Sequence, residues 1–146
     1  MKTYLKILII SLLTGCAGVQ NSNTKKNAPT PQGWEKDAQP GGDGTLPISF
    51  SPKANLPKEG TTLISILTPE IHQAVKLQGE EKSLKTIVKG KTINFAKSEN
   101  YMTTYISTPI QVNDQNAIAN LVVSKPNLEN LDARKKEFFN YISQFN

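Results

Sequence analysis

The stretch from Ile110 to Val123 constrains the fold more than any other part of this 146-residue chain. Ile110-Gln111-Val112 and residues 117–123 flank Asn113-Asp114-Gln115-Asn116, a cluster of turn-forming residues, so the two flanks are expected to pair as a hairpin. Ala117, Ala119, Leu121 and Val123 recur with a period of two and give one wholly apolar face. A strand of this kind needs an antiparallel sheet beside it and a cover over its apolar side. The cover is legible at the end of the chain. Leu128, Leu131, Phe138, Ile142 and Phe145 form a stripe at helical spacing, with Asn127 after Pro126 as N-cap and Arg134, Lys135, Lys136 and Glu137 turned to water.

The remaining elements follow from the same signals. Ile48-Ser49-Phe50 alternates as a short strand, which Pro52 confines to an edge or an end. Residues 61–67 are β-branched and apolar enough for a strand, and Thr68-Pro69-Glu70 then opens a short helix, with Thr68 as N-cap, expected over 69–78 and stopped by Gly79. Ile71, Ala74, Val75 and Gln78 would form its buried face. After a charged turn at Glu80, Glu81 and Lys82, Ile93 with Phe95, and Tyr101, Thr103 and Tyr105 opposite Met102, Thr104 and Ile106, read as further antiparallel strands. The expected class is α+β: a small antiparallel sheet with a short helix and a C-terminal amphipathic helix packed on one face, occupying residues 46–146.

Residues 1–15 read as a signal peptide. Lys2 and Lys6 precede a short apolar run from Ile7 to Leu13, too short to span a bilayer, and Leu13-Thr14-Gly15-Cys16 follows. These four residues resemble the lipobox of bacterial lipoproteins. The resemblance implies cleavage between Gly15 and Cys16 and a diacylglycerol thioether on Cys16, the only cysteine of the chain. It also implies permanent membrane anchoring, since several acyl chains bury tens of methylenes at about 0.8 kcal/mol each. Ala17, rather than Asp, stands after the cysteine, which by the same resemblance favours, in a Gram-negative cell, the periplasmic face of the outer membrane. Residues 17–45, rich in Asn, Gln, Pro and Gly, are expected to form a flexible linker. Trp34 is its one large apolar side chain, open both to packing on the domain's edge and to partner binding. The ending of the chain, an apolar strand, a proline and an amphipathic helix rich in aromatic residues, resembles domains of the PsbP and Mog1 type.

No catalytic constellation is expected. His72 is the only imidazole, no Gly-x-Ser-x-Gly elbow frames it, and a solvent-facing or capping role is the simplest expectation. Asp37, Asp43, Asp114 and Asp132 are too scattered for a calcium loop, one His cannot make a zinc site, and phosphate-cradling glycine motifs are missing, so neither metal nor cofactor is assigned. Lys85, Lys89 and Lys91 lie in a lysine-rich stretch, but the chain has 16 Lys and one Arg, which argues against phosphate gripping and nucleic acid. With Trp34, Tyr101 and Tyr105 they form the candidate partner surface. The expected function is a noncatalytic, lipid-anchored envelope lipoprotein that binds or positions an envelope protein partner. The alternatives are a periplasmic inhibitor or immunity protein against a toxin or lysozyme, and a wall-polymer hydrolase working through His72 and a carboxylate.

Overall fold

A computed structural model describes residues 28–37, 46–53 and 61–145. The expectations for the signal peptide, the cleavage site and Cys16 lie outside these residues. Seven strands, β1 (Trp34–Lys36), β2 (Ile48–Pro52), β3 (Thr62–Leu67), β4 (Glu81–Val88), β5 (Lys91–Glu99), β6 (Thr103–Val112) and β7 (Gln115–Ser124), form one sheet. Helix α1 (Pro69–Val75) joins β3 to β4, and a 3-10 turn (Asn127–Asn130) leads into helix α2 (Leu131–Ile142). The strand order is β1-β2-β3-β7-β6-β5-β4 and every neighbouring pair is antiparallel, the α+β architecture expected from the sequence.

Two tight turns set the register. Lys89 and Gly90 join β4 to β5, and Asn113 and Asp114 join β6 to β7; all four have positive φ, from 50° to 75°, as a type I′ hairpin turn requires. Gln115 and Asn116, expected in the second turn, already belong to β7. Glu81 and Lys82, expected in a turn, open the edge strand β4, whose exposed polar residues pair with β5 along its whole length.

Strand alternation divides the sheet into two faces. Ile64, Ile66, Ile106, Ala119, Leu121 and Val123 face α2 and are buried with Phe138, Phe139, Tyr141 and Ile142. Ser65, Tyr105, Ser107 and Asn120 take the intervening positions and face α1. The two helices therefore lie on opposite faces rather than sharing one. The reason is the side chain that α1 buries: His72, and not the apolar set Ile71, Ala74, Val75 and Gln78, goes under, while Ala74 and Val75 stay exposed. Thr68 caps α1 as expected, its hydroxyl accepting from Ile71 N at 3.3 Å, but the helix ends at Val75 because Lys76 turns extended (ψ 148°) towards β4.

The N-terminal part of the fold begins earlier than residue 46. Ala28 and Pro31 are buried, β1 pairs with β2, and Trp34 is 1% exposed within the α2-side core. Its indole Nε1 donates to Glu137 at 2.9 Å, the Arg134 guanidinium lies 5.6 Å from its ring centroid, and Tyr141 Oη donates to the carbonyl of Pro29 at 2.7 Å. Residues 28–37 are thus structure and not linker. Arg134 and Glu137 cover an indole rather than simply facing water. Asn127 caps nothing: it is buried and donates to Thr62 Oγ1 at 2.9 Å, tying the entry of α2 to β3.

Candidate functional site

Between β5 and β6 the sheet opens. The two strands pair only where Ala96–Glu99 meets Thr104–Ser107, and the first half of β5 then leaves β6 and leans towards α2. Apolar side chains hold it there: Ile93 enters the core and Phe95 stacks on Phe139 with centroids 4.8 Å apart. Pro109 lies on the stretch of β6 that β5 has left, where a missing N–H breaks no β5–β6 bond. On the α1 side the divergence leaves an open groove of about 730 Å³. Ser107 and Pro109 of β6, Ile118 of β7, Asn94 and Ala96 of β5, and Ser83 and Lys85 of β4 line it, with His72 at the α1 end.

His72 is anchored by groups from two strands. Its Nδ1 lies 3.0 Å from Asn120 Oδ1 and 3.2 Å from Tyr105 Oη, while Tyr105 Oη donates to the same Asn120 oxygen at 2.9 Å. Asn120, fully buried, has its amide orientation fixed on the other side: Nδ2 donates to the carbonyls of Ile118 and Ser65 and to Ser65 Oγ, at 3.2, 3.5 and 3.4 Å. Carbonyl oxygens only accept, so Nδ2 must face them and Oδ1 must face the imidazole. Oδ1 in turn only accepts, so Nδ1 of His72 carries the proton. The neutral ring is the Nδ1–H tautomer, and Nε2 keeps its lone pair. Among the described residues Nε2 has no hydrogen-bond partner, yet it is not sealed from solvent.

Charge follows from the same surroundings. Burial holds the His72 pKa below its ordinary value against the opposing Asn120 bond, with Lys76 lowering it further and Glu81 raising it. Burial alone pushes the Tyr105 phenol up to about 12. At neutral pH the network is therefore His, Tyr and Asn, all uncharged. The unfolded chain protonates His72 near its ordinary value of 6.5 while the folded chain resists. The stabilisation is therefore complete above that value and is lost as pH falls through the lower folded pKa. The urea midpoint is expected to drop between pH 7.5 and 5.5, and His72→Phe is expected to remove that part of the slope.

The network corrects the expectation of a solvent-facing or capping histidine: His72 is 6% exposed. It also removes Tyr105 from the candidate partner surface, since its ring is buried and its hydroxyl is spent on Asn120. Trp34 leaves that surface for the core on the other face. Tyr101 is 80% exposed, with Lys125 5.9 Å from its ring centroid, and sits in the turn after β5 rather than in a strand, where Asn100 Oδ1 accepts from the amides of Met102 and Thr103. Of the lysines, only Lys85 reaches the groove; Lys89 occupies the β4–β5 turn, and Lys91 donates to the carbonyl of Ser143 at 3.1 Å. The sequence did hold a signal for Asn120: an amide midway between Ile118 and Val122 on the second face of a strand whose first face is wholly apolar.

The site has a base and its orienting group but no completed catalytic set. Among the described residues no hydroxyl bonds to Nε2, and no three His, Cys, Asp or Glu side chains converge as a metal set. Among the same residues no helix is long and apolar enough to cross a membrane. Comparison with protein-family models, curated proteins and solved structures gives no match to this chain. The functional reading therefore rests on the residues themselves.

Proposed function

We propose that the protein is a lipid-anchored module of the bacterial envelope that binds a component there without transforming it. The anchor is Cys16 and the binding face is the groove beside α1. The observation that carries the binding role is the imidazole of His72, held in one tautomer by Asn120 and lining the end of an open groove. Such a group recognises a donor. Catalysis by it would need a nucleophile bonded to Nε2 or a second acid in reach; among the described residues no hydroxyl bonds to Nε2 and none that lines the groove is a carboxylate. A lined concavity with a mostly apolar floor and a few convergent polar groups is the usual form of a small-ligand site. The Leu13-Thr14-Gly15-Cys16 motif supports the anchor and the envelope location.

Both halves are open to test in the native host. Wild-type protein is expected in the membrane fraction with an acylated Cys16, and Cys16→Ser protein in the soluble fraction; a variant that stays with membranes defeats the anchoring claim. A photoreactive residue placed at Lys85 is expected to yield discrete adducts, whereas one at Tyr101, outside the groove, is not. Equal labelling from both positions would deny the groove a special role. Capture of a hydrolase from position 85 would turn the reading towards an inhibitor or immunity protein.

A further inference from the structure

We propose that the groove takes an uncharged, hydroxyl-rich ligand of the saccharide class, lying on the floor made by Pro109 and Ile118 and donating a hydroxyl hydrogen to Nε2 of His72. This rests on the groove being the binding face. The charge of the lining comes first. Among the described residues it includes no acidic side chain and a single lysine, Lys85, on the exposed edge strand β4, so neither a cation nor a polyanion finds a matching field. The polar groups that remain, from Ser83, Asn94, Ser107, Thr108 and His72, are neutral and spread around an apolar floor. A sugar ring has the complementary pattern, with apolar C–H faces and a rim of hydroxyls that donate and accept.

A peptide adding as a strand fits less well. The free edge of β6 lies at the groove, but Pro109 leaves a gap in its row of donors, and Thr108 Oγ1 already occupies the carbonyl of Asn94 at 2.7 Å, one side-chain bridge across the opening. Acceptance by Nε2 also fixes a sign for pH. An uncharged ligand that covers His72 excludes water from it, which disfavours the imidazolium; binding should weaken as His72 gains its proton. The charged and titratable groups around the ring are Lys76 at the end of α1, Glu81 and Lys85 of β4, and the phenol of Tyr105 on β6. The Tyr105 phenol, pushed up to about 12 by burial, keeps its proton throughout this range. An anionic ligand would show the opposite slope.

The test uses the full chain in detergent, ¹⁵N-labelled, titrated with N,N′,N″-triacetylchitotriose and separately with tetra-alanine. The saccharide is expected to shift the amides of Ala96, Ser107 and Ile118 and the Nε2 resonance of His72, with affinity unchanged between 50 and 500 mM salt as an order-of-magnitude range for screening. His72→Phe should weaken binding about tenfold, the loss of one hydrogen bond to the ligand, and Tyr101→Ala, outside the groove, should leave it within about twofold. Should His72→Phe fail to fold, the wild-type affinity read from pH 7.5 to 5.5 against the His72 ring shifts decides: a parallel fall supports the proposal and a rise overturns it. Shifts from tetra-alanine alone, or binding that collapses in salt, also overturn it. If position 85 still gives discrete adducts while the saccharide does not bind, the ligand class is wrong and the binding face stands; if both fail, the binding face falls as well.

Discussion

Trp34→Ala is expected to lower the unfolding free energy by about 3–5 kcal/mol, the usual cost of deleting a large aromatic side chain from a packed core. The argument begins with burial: the indole is 1% exposed. Truncation also removes the donor to Glu137 and the ring beneath Arg134, so the Arg134–Glu137 pair, 3.0 Å apart, loses the surface it covers. The loss should be global rather than local, because the indole links β1 to α2 across 103 positions of sequence. Urea unfolding followed by far-ultraviolet dichroism measures it. A change below about 1 kcal/mol would mean that residues 28–37 are dispensable to the fold, as a linker would be. Trp34→Phe should recover much of the loss, since it restores most of the ring but not the Nε1–H donor.

Asn120→Leu is the second large effect, expected at about 3 kcal/mol for a substitution that keeps the branching of the side chain but none of its polar atoms. Leucine would leave the imidazole N–H and the Tyr105 hydroxyl as buried donors without their acceptor, and each such orphan costs about 1–3 kcal/mol. Tyr105→Phe removes one donor together with its need for a partner, so it should cost only about 1 kcal/mol. The contrast between the two variants isolates the amide as the centre of the network. Asn120→Leu should also release the His72 tautomer, visible as converging Nδ1 and Nε2 resonances in ¹⁵N spectra. Asn120→Asp has a different outcome: a carboxylate favours the imidazolium, so the His72 pKa should rise instead of lying low. Identical unfolding midpoints for Asn120→Leu and wild type would refute the assigned network.

The parts of the fold that could be read from the sequence are those whose signals are local. The β6–β7 hairpin carries its own turn and its own alternation, and α2 carries its own stripe, so both were legible. Strand β4 was not, because its eight residues are an exposed edge with no alternation to detect; cross-strand pairing with β5 and the turn at Lys89-Gly90 specify it. Strand β1 is only three residues long, and what buries it arrives with α2. His72 was misread for the same reason. Its partners, Tyr105 and Asn120, lie 33 and 48 positions away, and nothing next to it in the chain announces them. The groove was hidden too, since it arises where one strand leaves another and not from any run of residues. The apolar residues Ile93 and Phe95 were legible as a strand, but their pull towards α2 was not.

If Cys16 is the anchor proposed above, the inclusion of residues 28–37 in the fold limits how far the domain can stand from it. Only residues 17–27 separate Cys16 from Ala28, so even fully drawn out this leash spans roughly 40 Å. A leash ending at residue 45 would reach more than twice as far. If Cys16 is held in a leaflet, the groove searches a thin shell next to that surface, and whatever it binds must come within that shell. The indole of Trp34, clamped beneath Arg134 and Glu137, would then be the knot at which such a tether ends.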